Sequence, residues 1–314
     1  MNQPPDRGPV GRPFLKQEIP MRLPVLVRQV RAAMMAVVLG LGLAAQAHAE
    51  PALWKVQGAK ATIYLFGTVH VLKPDVVWRS PKIDGAIKAS DALWLEIPDA
   101  DDQAAMQGLI MKYGVDAAHP LSSKIDAATK AQFDAFLAPL GVPAAQLDPL
   151  RPWVAGIAVS TLPLIKAGYD PKSGVEQVVK AQMQAAGKPV QGFETAEQQI
   201  RYLADVPPAT ELEFFKSSLS EGEKALPMIN DLVAAWNSGD EARLEALLNG
   251  EMRDKYPDLY KRLIVERNLR FADKIAELSK GQGVLFVAVG AGHLVGADSV
   301  QADLAKLGIT AVRQ

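Results

Sequence analysis

No cysteine occurs anywhere in the 314 residues. That excludes disulfides, thiolate metal sites, a cysteine nucleophile and a lipid-modified cysteine anchor, so stability must come from a packed core. Histidine is nearly as scarce: four in all, three of them beyond residue 49. No His-Glu-x-x-His cluster is present, which removes the compact signature of a zinc protease. A surplus of positive charge is missing too. The formal net charge is −1, and past residue 49 the balance is 28 basic against 33 acidic side chains, about −5. Such a charge gives no reason to expect a nucleic-acid partner. The weakly polar run Trp153–Ile165 has 13 residues, short of the roughly 20 that a spanning helix needs. It reads as a buried helix, and no stable membrane span is expected past residue 49.

What is present divides at residue 49. Residues 1–20 are polar and proline-rich and read as a disordered or untranslated extension, Met21 being an alternative start. From Met21, "MRLPVLVRQVR" is a basic region, "AAMMAVVLGLGLAAQ" an apolar one, and "AHA" ends at Ala49 with small residues at its last and third-last positions. That is the layout of a secretory signal cleaved near Ala49, with a periplasmic or secreted product. A membrane anchor is the competing reading, but the apolar stretch is short and lacks a cationic stop. The remainder, 50–314, is expected to be one α/β domain, its composition (49% hydrophobic, 22% charged for the whole chain) suiting a sizeable core.

"PALWKVQGAKATIYLFGTVH" reads as two strands turning at Gly58, the second over Thr62–Phe66. "SPKIDGAIKASDALWLEIPD" is a short helix leading into a strand at Ala92–Ile97, and strand, helix, strand is the unit of a parallel sheet. Residues 100–168 turn helical. "SGVEQVVKAQMQAAGK" opens with Ser173 and Glu176 at capping-box spacing and ends at Gly187. "KPVQGFET" is a further strand, with Thr195 and Gln198 capping the next helix. Residues 205–280 are helical again, and Val284–Val289, a helix near Ser299–Leu307 and "ITAVR" close the chain. The expected fold class is therefore α/β: a mostly parallel central sheet flanked by helices, with two inserted helical blocks near 100–168 and 205–280.

Four apolar strands end in, or just before, a group that binds metals or moves protons: His70, Glu96, Glu194 and His293. The carboxyl ends of parallel strands lie along one edge, where ligand sites form. "TIYLFGTVHVL" and "VLFVAVGAGHL" each place a histidine three residues after a glycine, Gly67 and Gly290. Those glycines, with Gly292, allow positive φ or close backbone approach. Two imidazoles with carboxylates suit a divalent ion such as Zn, Mn, Co or Fe. The same groups equally suit acid–base chemistry without a metal. Glu176 reads most simply as a helix cap, and His119 in "AAHPL" as a solvated turn residue. Arg151 and Arg267 either clamp an anionic intermediate or form surface salt bridges.

The ordered set "TIYLFGTVHVL…SDALWLEI", "RPW…GYDPKSGVEQVVKAQMQAAGKPVQGFETAEQQ" and "ERNLRFADKI…VLFVAVGAGHLVG" resembles the TraB/GumN family, which includes the Tiki proteins, over about Leu53–Val312. The resemblance implies a metal-dependent, peptidase-like hydrolase acting on a peptide or other envelope substrate, with Mn, Co or Zn. It points to His70, Glu96 and His293 as metal and catalytic residues, with Glu194, Arg151 and Arg267 as further catalytic positions. Erythromycin esterase and the ChaN haem-binding proteins are wider relatives of the fold. They imply two alternatives: a metal-free hydrolase with His70 as general base, and a non-catalytic haem- or glycan-binding envelope protein. The chain departs from the family pattern at Gly174-Val175-Glu176, where Gly-Ile/Leu-Asp is usual, and at Ser299, where glycine is common.

Overall fold

A computed structural model describes Met1 and residues 50–314; the expected extension and signal segment lie outside the described residues. Six strands form one sheet: β1 (Leu53–Gln57), β2 (Lys60–Thr68), β3 (Ala92–Leu95), β4 (Val190–Gly192), β5 (Gln282–Gly290) and β6 (Ala311–Arg313). Their order is β4-β3-β5-β2-β1-β6. Neighbours are parallel from β4 through β2, and β1 runs antiparallel to both β2 and β6. The sheet is therefore mixed, with β1 the reversed strand. The expected hairpin at Gly58 accounts for it, since β1 and β2 pair directly from Leu53↔Phe66 to Gln57↔Thr62.

The strand period of two sends alternate side chains to opposite faces. Along β5, Phe286 and Ala288 enter one core with Phe66, Trp78, Ile87, Val179 and Trp236. Val287 and Val289 enter the other with Ile63, Leu65, Phe271, Ile275 and Leu304. The first face is covered by helices Pro81–Ala89, Val175–Ala185 and Ala225–Ser238, the second by Glu266–Leu278 and Val300–Lys306. Sequence explains these helices locally. Ser80 caps the first by accepting the Ile83 N–H, and Pro81 occupies a first-turn position where its missing donor is harmless. In Glu266–Leu278, Arg267, Phe271 and Ile275 fall on one buried stripe.

The two expected insertions do not remain separate. Helix Pro152–Lys166 from the first and helix Pro208–Glu221 from the second pack together, burying Phe133, Leu137, Val159, Phe215 and Leu219 in a core of their own. Gly156 lies under Phe214, where an added Cβ would sit 2.8 Å from the ring. Among the described residues, no helix is long and apolar enough to cross a membrane.

Candidate functional site

β2, β3, β4 and β5 point their carboxyl ends the same way, and His70, Glu96, Glu194 and His293 follow those ends by one to three residues. The backbone fixes each position. The indole N–H of Trp236 donates to the Gly67 carbonyl at 2.8 Å, and the Val175 N–H donates to Val69 O at 3.1 Å, which together hold the His70 loop. The Glu194 N–H donates to Glu96 O at 2.8 Å, tying the two carboxylate-bearing strand ends together. Gly290 is the meeting point. A Cβ placed there would lie 3.1 Å from Glu96 Oε1, 3.5 Å from His70 Nε2 and 3.7 Å from His293 Cδ2. The expected positive φ is not what requires these glycines: Gly67, Gly290 and Gly292 all lie outside that region. Close approach is the reason, as at Gly67, whose Cβ would be 3.1 Å from the Ala291 Cα.

The buried half of the site is built around Arg267. Its guanidinium donates to Glu96 Oε2 at 2.6 Å, to Glu194 at 2.8–3.1 Å, to Leu263 O at 3.2 Å and to His293 Nε2 at 2.9 Å. The other ring nitrogen of His293, Nδ1, is 2.6 Å from Asn268 Oδ1. Asn268 donates its amide to Asp298 O at 2.6 Å, so its oxygen must face the ring. His293 is then the neutral Nδ1–H tautomer, donating to Asn268 and accepting from Arg267. Burial and the neighbouring guanidinium, working against the Glu96 charge, hold its pKa down to about 4. For Glu96, burial alone would raise the pKa. His293, Arg267, His70 and the Gly290 N–H, which donates at 2.6 Å, outweigh it and hold the carboxyl well below its ordinary range. Glu194 is likewise kept ionised against burial, by Arg267 and by donation from Tyr202 and Gln199.

His70 is the open half. Two-thirds of its side chain (66%) is exposed, and its Nδ1 pairs with Glu176. That contact turns Nε2 toward Glu96 at the wall of a cleft of about 320 Å³, which Thr68, Glu96, Pro171, Glu176 and Lys180 also line. The Glu176 charge, with its hydrogen bond assisting, pushes the His70 pKa up to about 9. One imidazole is thus locked neutral behind the sheet edge, and the other is proton-loaded and reachable. A larger hollow of about 420 Å³ lies among the helices, but its lining is mainly aliphatic and aromatic, with Glu221 and Glu251 its charged members. The smaller cleft is the one with convergent chemistry.

The structure brings His70, Glu96, Glu194, His293 and Arg267 together. Arg151 is not among the residues lining the cleft. It precedes helix Pro152–Lys166 and bonds Glu211, Tyr113 O at 2.9 Å and Ala204 O at 2.7 Å, a structural tie within the helical layer. His119 is a surface turn residue 3.1 Å from Asp116. Glu176 corrects the capping reading: Gly174 occupies the cap position with no side-chain bond, and Glu176 reaches His70 instead. Its signal was the Gly-x-acid spacing itself. Asn268 was legible only as the residue after Arg267.

The expected metal set is His70, Glu96 and His293. Both nitrogens of His293 are engaged, and a guanidinium sits against the nitrogen that would ligate. Both Glu96 oxygens already accept hydrogen bonds. Among the described residues, no group of three or more His, Asp or Glu side chains is arranged to hold a metal ion. The donors as placed do not fit that ion, because ligation needs free lone pairs at about 2.0–2.2 Å around one point.

The TraB/PrgY/gumN family description matches residues 52–313. An uncharacterized protein of Treponema pallidum (strain Nichols) is similar, 20% identical over 269 residues that cover 81% of this chain and 80% of the relative. No solved structure was found to match.

Proposed function

The chain belongs to the TraB/PrgY/gumN family, and we propose that it is a hydrolase, most simply of peptide bonds, whose proton carrier is the His70–Glu176 pair. The observation that carries this reading is the pairing of one imidazole nitrogen with a carboxylate while the other lies with Glu96 beside Gly290, both residues lining the cleft. In its neutral form His70 Nε2 takes a proton from water as the water oxygen attacks the scissile carbonyl carbon. Glu176 stabilises the imidazolium formed, and Nε2–H then protonates the leaving amine as the C–N bond breaks. Arg267 holds Glu96 and Glu194 ionised and fixed, and His293 completes that buried frame. The likeness to Tiki peptidases and to the erythromycin esterase/ChaN scaffold belongs to this reading. So does a place in the periplasm or outside the cell, supported by the signal-like residues 21–49.

The test is turnover of a broad peptide library by the full chain, with and without chelator. Activity should persist in chelator, and His70→Ala should lower it by about 10²–10⁴. Loss in chelator with rescue by Mn, Co or Zn would restore the metallohydrolase reading and require Arg267 to leave His293. Retention of haem or glycan without turnover would make the protein a binding module.

A further inference from the structure

Lys180 is a lysine where a lysine is expensive. Its side chain is 8% exposed, yet the partner of its ammonium, Asp101, is a loop residue with a half-exposed (50%) side chain. Lysine is rarely buried unless it is paired. A pair built only for stability gains little from a partner held in solvent, since exposed ion pairs contribute about 0–1 kcal/mol. The position of Lys180 is more telling than its pairing. It lies on helix Val175–Ala185 four residues after Glu176, so both fall on one helix face roughly 6 Å apart along the axis. Both line the same cleft as His70. The charged lining residues are His70, Glu96, Glu176 and Lys180. Glu96 is neutralised from behind by Arg267, and Glu176 is committed to His70. Lys180 is the remaining cation, and the carboxylate on it comes from a half-exposed turn residue rather than from the sheet or a helix.

We propose that Lys180 is the anion-recognising residue of the cleft and that its ligand carries a carboxylate near the bond His70 attacks, Asp101 occupying the carboxylate's place until it is displaced. A peptide with a free C-terminal carboxylate close to the scissile bond fits a cleft that both residues line. Displacement exchanges one charge-assisted bond for another, so the buried ammonium is never left unpaired. The inference rests on the hydrolase reading for the bond that is cut, but not for the ion that is recognised.

Two readouts keep those apart. In the first, the His70→Ala full chain is mixed with an acetyl-capped peptide library bearing free C-termini, or with the same library amidated. Retained peptides are read by ultrafiltration and mass spectrometry. Free acids should be retained about tenfold or more over amides, the size of one charged hydrogen bond. Adding Lys180→Met should abolish the preference, Lys180→Arg should restore part of it, and Asp101→Asn should strengthen retention of the acids. Equal retention of acids and amides, or no response to Asp101→Asn, overturns the proposal. In the second, turnover by otherwise unaltered protein is compared for the two libraries, and Lys180→Met should raise KM for acids with a smaller effect on kcat. Lys180-dependent retention without turnover would uphold the recognition site and refute the hydrolase. Turnover indifferent to the C-terminal charge would do the reverse.

Discussion

Glu176 decides when His70 carries its proton. With the carboxylate beside it the ring titrates up at about 9, so the neutral, base-competent form grows as pH rises toward that value. If water activation limits the rate, kcat/KM should climb with pH and level off above about 9. Glu176→Gln keeps a hydrogen-bond acceptor for Nδ1–H but removes the charge. The limb should then move down toward the ordinary imidazole value near 6.5, and the plateau should fall because the imidazolium loses its counter-charge. A pH–rate profile of the two proteins checks this. An unmoved limb would mean that Glu176 only supports the loop. The neutral His293 behind the sheet edge should contribute no such limb, since its two nitrogens are committed to Asn268 and Arg267.

Among the elements, the loop after β2 and the helix Val175–Ala185 matter most to the site, and the chain passes tightly between them at Gly174. A Cβ there would collide with the His70 carbonyl oxygen. Gly174→Ala should therefore destabilise the fold by about 1–3 kcal/mol, the usual effect of overpacking, and should lower turnover by pushing the His70 loop outward. Gly85, mid-helix with nothing within 4 Å of its Cβ position, is the control: its alanine variant should gain about 0.5–1 kcal/mol. Urea denaturation and turnover of both variants make the comparison, and equal stability changes would refute the steric reading. Two π turns, Ala246–Gly250 and Lys261–Val265, act on the buried half. The first lets Asn249 donate to Gly292 O at 2.9 Å, and the second supplies the Leu263 carbonyl that Arg267 binds.

For the molecule as a whole, the two histidines give opposite pH dependences. His70 has a raised folded-state pKa, so its contribution is fully present below about 6.5 and is lost as pH rises through about 9. His293 has a lowered one, so the unfolded chain binds the extra proton and stability is lost as pH falls from about 6.5 through about 4. Glu96 and Glu194, both held ionised, extend the acid loss to lower pH. Thermal unfolding across pH should show a maximum near 6.5. His70→Ala should flatten the alkaline side and leave the acid side intact. A variant that loses the acid side instead would contradict this assignment. The sheet carries both histidines, so one unfolding transition should report on each.

Strand period, helix caps and strand-end chemistry are local properties, and the amino-acid sequence alone determined them. The apolar runs before His70, Glu96 and His293 became β2, β3 and β5, and Thr195 with Gln198 formed the capping box its spacing announced. Parallel pairing then made it necessary that the ends of those strands share an edge. Partner choice among polar groups was not local. Glu176 had a plausible neighbour in Ser173, three residues away, and bonded His70, 106 residues away, because Gly174 lets the two segments touch. Arg267 read from the sequence as either a clamp for an anionic intermediate or a surface salt-bridge residue, and the fold instead closed two carboxylates and a histidine around it. The merging of the two helical insertions followed the same rule. Each exposed an apolar stripe that its own sequence could specify, but only the tertiary structure decided that the stripes would bury one another.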